Sequence, residues 1–277
     1  MASPEASRRL VVNADDFGRS DAINQAVIRA HRDGILTSAS LMVNEAAADD
    51  AVALARQNPG LGVGLHLTLV CGRSALPSSA IPNLVNARSQ FSNNPAAAGF
   101  RYFFSRSCRA QLRDEIAAQF EKFRSFSLPL DHVNGHLHLH LHPTVLKIIL
   151  YNCERWRVRA VRLTRDPFFL NARIASGRWG YRLSHAIVFG LLSARARGGL
   201  ARRNIRHTSA VFGLLQNALV NDNYVKELLP LLPPGDSELY SHPSLDQFKN
   251  EFDALVNPSN RALVRQLGIQ LIRYQDL

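Results

Sequence analysis

Between Asp131 and Pro143 the chain carries five histidines, His132, His136, His138, His140 and His142, half of the ten it contains. Imidazole is the commonest protein ligand for transition metals and titrates near neutral pH. Alternate side chains of an extended strand share a face. The run therefore predicts His136, His138, His140 and His142 on one face, with Leu137, Leu139 and Leu141 on the other. Such a row suits a metal site or proton transfer; a solvated loop that scavenges metal is the plainer alternative. Asp15 and Asp16 are adjacent after an apolar run. If one binds a metal, its neighbour can face the bound water, and without a cation or donors the pair is costly to bury. A helix cap beside a solvated acid is the alternative. His66, inside LGVGLHLTL, would by itself be a hydrogen-bonded core histidine. Its recurrence with the other groups at comparable strand ends argues for function.

Several elements must position these groups. Residues 9–14 (RLVVNA) read as a buried strand ending at the two acids; Gly18 turns the chain and Asp21 caps a helix through Ile23, Ala26, Val27 and Ala30. Residues 36–43 and 61–69 are strand candidates, separated by a helix over 46–56 that Asn58-Pro59-Gly60 ends. Residues 71–106, rich in Ser, Asn, Pro and Arg, predict a long functional loop. A helix over 111–126 precedes the histidine strand, and Pro143 opens another helix to about residue 154. Residues 158–164 and 237–241 are strands, 217–232 and 248–267 helical, with 269–273 at the end. This alternation indicates an α/β fold with a parallel sheet, carried by one domain over 1–277. Asp15-Asp16, His66, the histidine run and Ser241-His242 all fall where strands end, and such folds carry their active sites there.

The net charge of +11 is one local feature. Residues 155–206 hold thirteen arginines and the single acid Asp166, which leaves the rest of the chain close to neutral. Within that segment, LSHAIVFGLLSA (183–194) is largely apolar and flanked by Arg178, Arg182, Arg195 and Arg197. Two readings stand: peripheral association of 178–206 with an anionic membrane surface, or a core helix beside a solvated basic face. Nucleic acid is not expected, because the basic clusters lack an aromatic stacking pattern. No apolar run approaches the ~20 residues that span a bilayer, and the polar start MASPEASRRL predicts no secretory leader. Cys71, Cys108 and Cys153 are widely spaced and read as reduced thiols of a cytoplasmic protein.

NADDFG (13–18), GLHLTL (64–69), HVNGHLHLHLHP (132–143) and ELYSHP (238–243) resemble, in order, the signature segments of the YdjC-like carbohydrate deacetylases. VNGHLHLHLHPTV and the tail NRALVRQLGIQL look most like the hopanoid-associated (HpnK-type) branch. The resemblance implies a distorted, TIM-barrel-like (β/α) barrel, with 71–106 as a long loop and 165–207 as a basic apolar insertion. It implies a divalent-metal hydrolase, using magnesium or zinc, that removes acetyl from N-acetylated sugars. Carried over, Asp16, His66 and His136 are metal ligands, Asp15 is the general base and His242 the acid. His138, His140 and Asn134 would orient ligands or touch substrate. Many relatives carry Asp-Ser where this chain has Asn134-Gly135. The substrate would be an N-acetylhexosamine unit on a hopanoid glycolipid, met by a cytoplasmic protein at the inner membrane surface. A soluble chitooligosaccharide deacetylase whose arginines serve a homodimer is the second reading. A metal- or lipid-binding accessory protein without turnover is the third.

Overall fold

The computed structural model describes residues 7–277, and most of the polar start MASPEASRRL, from which no secretory leader is expected, lies outside them. The elements run β1 (Arg8–Phe17), α1 (Asp21–Asp33), β2 (Ser38–Leu41), α2 (Ala48–Arg56), β3 (Gly62–Leu67), α3 (Pro95–Phe104), α4 (Arg106–Ser125) and β4 (Val133–Gly135). They continue with α5 (Pro143–Asn152), α6 (Phe168–Ile174), α7 (Trp179–Ala201), β5 (Ala210–Phe212), α8 (Asp222–Leu228) and β6 (Gly235–Ser241). The last are α9 (Lys249–Val256), α10 (Pro258–Gln266) and β7 (Gln270–Leu271). Leu10, Val11, Val12 and Ala14 are all buried, as a parallel strand covered on both faces requires. Every strand pairing is parallel, in the order β4-β3-β2-β1-β6-β5, and β7 lies beside the start of β1.

Residues 158–164 form no ladder. They make single bridges, Val161 to Val133 on one side and Ala160 to Arg206 on the other, and the Val211 N–H donates to Arg165 O at 3.0 Å. These contacts carry the sheet from β4 round to β5, giving the distorted (β/α) barrel expected, in one domain. The catalytic candidates ring the end where the strands finish.

Three local expectations change. Ser20, not Asp21, caps α1, its Oγ accepting from Ile23 N. The 71–106 loop contains α3, whose start was written in Asn94-Pro95: Asn94 Oδ1 accepts from Ala97 N, and Pro95 opens the first turn. The histidine run is not a strand beyond Gly135. Residues His136–Leu141 form a tight 3₁₀ turn in which Leu137 and His138 are left-handed, at φ 49° and 59°. A Cβ on Gly135 would stand 3.1 Å from His140 N, a close approach made where the chain doubles back. The alternating histidines therefore point in different directions.

Candidate active site

Adjacent strand residues normally face opposite sides, yet Asp15 lines the cleft while Asp16 meets His66 and His136, which line it too. The cause is a break in register between Ala14 and Phe17, with Asp16 left-handed at φ 65°. A bulge re-aims side chains in this way, and Asp tolerates the left-handed region better than most residues. Asp16 Oδ1 lies 3.0 Å from His136 Nδ1 and 3.4 Å from His66 Nε2. Its Oδ2 accepts from Arg19 at 2.8 Å. Potential ligand atoms of Asp16, His66 and His136 all lie within 4.8 Å of one another, and all three residues are buried.

The donor chemistry of the three fits a divalent cation. His66 Nδ1 is 2.7 Å from Asn134 Oδ1, an acceptor. That fixes the proton on Nδ1 and leaves the Nε2 lone pair facing Asp16 and His136, the arrangement usual for a metal-ligating imidazole. Asn134 Nδ2 donates to Asp15 Oδ1 at 3.1 Å and to Ser40 Oγ at 2.8 Å. The Asn134-Gly135 pair thus supplies both the acceptor for His66 and the sharp turn after it.

Asp15 is held on the other side by Arg162, whose two terminal nitrogens bond its two oxygens at 2.7 and 2.9 Å. Arg162 is fully buried, stacks over the Tyr240 ring at 4.3 Å and also donates to Glu238 Oε1. Glu238 Oε2 in turn accepts from the Tyr274 hydroxyl. Burial works against ionising Asp15, but Arg162 outweighs it and holds the carboxylate far below its ordinary range. Asp15 Oδ1 carries three donors, from Asn13, Asn134 and Arg162, whereas Oδ2 carries one. Oδ2 therefore keeps an acceptor position free.

His242, on the loop after β6, is 19% exposed at the cleft. Burial lowers its basicity, but Glu251, 3.7 Å away, with Asp16 and Asp15, raises its pKa to about 9. His138 lines the same cleft and bonds the Tyr240 hydroxyl at 2.9 Å. Burial, reinforced by Arg162, pushes its pKa well down. His140 is fully buried, bonds Arg162 O at 2.9 Å and is pushed down to about 3 by burial. Both are neutral at physiological pH. His140 braces the segment bearing Arg162 rather than facing the cleft. His142 sits apart against Tyr102 and Phe103, and His132 is held by Asp131 and Ser40.

The cleft, about 80 Å³, has Asp15, His66, His136 and His242 on its polar side. Tyr181, His185 and Phe189 of α7 make its other wall, with Leu137 at the rim. The sequence reading missed Arg162, Glu238, Tyr240 and Tyr274. Arg162 was absorbed into the basic segment, though its place inside the apolar VRAVRLT was a signal of a buried, paired charge.

A family model described as YdjC-like protein matches residues 9–266. A carbohydrate deacetylase of Geobacillus stearothermophilus is 40% identical over 161 residues, 57% of this chain and 62% of that protein. One of Brevibacillus brevis is 39% identical over 150 residues, 54% of this chain and 57% of that protein. The chain thus matches about six-tenths of the length of these curated relatives. A solved structure described as a cellobiose-phosphate cleavage protein of Enterococcus faecalis shares the fold, with TM-score 0.76 at 20% identity over 98% of this chain and 99% of that one.

Proposed function

The chain belongs to the YdjC-like family, and from that premise we propose that it is a metal-dependent amide hydrolase removing acetyl from an N-acetylhexosamine unit. The observation that carries this reading is the meeting of Asp16 with His66 and His136, which line one cleft with Asp15 and His242. The curated relatives named as carbohydrate deacetylases support the substrate class. Asp16, His66 and His136 would hold the ion, magnesium or zinc. When bound, it would supply Lewis-acid polarisation of the acetamide carbonyl and acidify water.

The chain's own groups do the rest. Asp15 Oδ2 takes a proton from the attacking water, while Arg162 and Asn134 fix the carboxylate's orientation. Arg162 also keeps Asp15 ionised, so that it is ready to accept. His242, protonated because of Glu251, delivers a proton to the departing sugar amine. His138 and Tyr240 form a neutral hydrogen-bonded wall against which the sugar is oriented.

The finer reading is that the sugar is carried on a hopanoid lipid and met at a membrane surface. Trp179, Leu183, Ile187 and Leu191 follow one another at four-residue spacing on α7, each half exposed or more. Arg195, Arg197, Arg202 and Arg203 follow, and the inner face of α7 walls the cleft. An apolar ridge with basic flanks suits an anionic interface. No helix among the described residues is long and apolar enough to cross a membrane.

Acetate release from a panel of N-acetylated glycosides and glycolipids, before and after chelation, tests the function. We expect turnover that depends on the metal and is abolished in Asp16→Asn, His66→Ala and His136→Ala. Undiminished turnover in metal-stripped His136→Ala overturns the reading. Preference for free chitooligosaccharides would move the substrate away from lipid, and no acetate from any member of the panel would leave a binding protein.

A further inference from the structure

A second pocket lies at the opposite end of the barrel, where the strands begin. Its volume is about 540 Å³, in the range of small-molecule sites. The floor is apolar: Phe120 stacks on Trp156 with ring centroids 4.1 Å apart, beside Phe123, Leu128 and Leu130. The rim is basic. Arg124, Arg155, Arg157 and Arg159 stand around it, all exposed. Glu121 is the acid of the lining, and it pairs with Arg124 and Arg155. Arg157 and Arg159 make no ion pair among the described residues. The polypeptide also places Arg157 where glycine is the usual choice, left-handed at φ 55°. Trp156 is 8% exposed, and its indole Nε1–H finds no acceptor among the described residues. A buried indole N–H usually has one.

We propose that this pocket binds an amphipathic organic anion, an apolar chain or ring system ending in a phosphate or carboxylate. The apolar body would lie against Phe120, Phe123 and Trp156, and the acid would sit between Arg157 and Arg159. Guanidinium forks match both oxyanions. The charge of the rim excludes cationic amphiphiles, and the depth of the aromatic floor disfavours small inorganic anions. The pocket shares no lining residue with the cleft, so this site stands whether or not the deacetylase reading holds.

The chain has two tryptophans, so Trp179→Phe leaves Trp156 as the sole reporter on the pocket. Titrating that protein with dodecyl phosphate below its micelle concentration should give a saturable change in Trp156 fluorescence. Dodecanol and inorganic phosphate should each bind at least tenfold more weakly. Adding Arg157→Ala and Arg159→Ala should weaken dodecyl phosphate at least tenfold while thermal unfolding stays unchanged. Adding Ile187→Ser and Leu191→Ser on α7 should leave binding as it was. The proposal is overturned if the arginine variant binds equally well, if the α7 variant loses binding, or if phosphate alone binds as tightly.

Discussion

Asp15 and His242 face one cleft with opposite electrostatic surroundings, and this separation suits each to the proton role proposed for it. Arg162 draws the carboxylate toward permanent ionisation, whereas Glu251 draws the imidazole toward protonation. Replacing Asp15 with Asn should therefore lower kcat at least 100-fold while metal content, read by atomic absorption, is unchanged. In Glu251→Gln, the alkaline limb of the kcat/KM profile should move to lower pH, since the largest support for the His242 charge is gone. A profile that stays in place would remove His242 as the acid. The sign for stability follows from the same residue. In the metal-free protein the His242 pKa, about 9, exceeds the ordinary 6.5. Its contribution is complete below about 6.5 and disappears as pH rises through 9. At this scale the sequence was readable where chemistry uses rare types: the paired acids and the histidines at strand ends. Arg162, Glu238 and Tyr274 were not readable, because their role arises from contacts 36 to 147 residues apart in the chain.

At the scale of elements, hydrophobic runs located β1, β2, β3 and β6, whose central residues are buried, but not β5, whose three residues Ala210–Phe212 are too short a run to stand out. The period-two pattern of the histidines misled, since Gly135 and two left-handed residues fold that stretch into a turn. The same apolar content that identified 183–194 could not say which side of α7 would be covered. In the fold, Arg182, Ser193, Ala196 and Leu200 are buried, and Trp179, Leu183, Ile187, Val188 and Leu191 remain outside. If that ridge meets lipid, the protein should co-sediment with anionic vesicles and not with neutral ones. Each arginine near the surface contributes about 1 kcal/mol. Replacing Arg195, Arg197, Arg202 and Arg203 with Gln should thus weaken partitioning by about two orders of magnitude or more. Intact protein that ignores anionic vesicles would end the membrane reading.

For the molecule as a whole, closure of the barrel is uneven. Strands β1 and β6 pair continuously from Arg8 to Ala14, whereas residues 160 and 161 hold their neighbours by single bridges. The gap is crossed by side chains instead: Arg162 reaches Asp15 on β1 and Glu238 on β6, and Glu238 reaches Tyr274 beyond β7. Removing one partner of a buried ion pair strands the others, typically at 3–5 kcal/mol. Arg162→Gln should therefore lower the melting temperature markedly, as well as abolish turnover, which calorimetry on the metal-free protein can check. In hydrogen exchange, the amides of Val161 and Arg162 should open before those of Val11 and Val12, and much sooner still in Arg162→Gln. The residue that keeps the candidate base ionised is also the buckle of the barrel. Substitutions there cannot trade activity against robustness, because one guanidinium underwrites both.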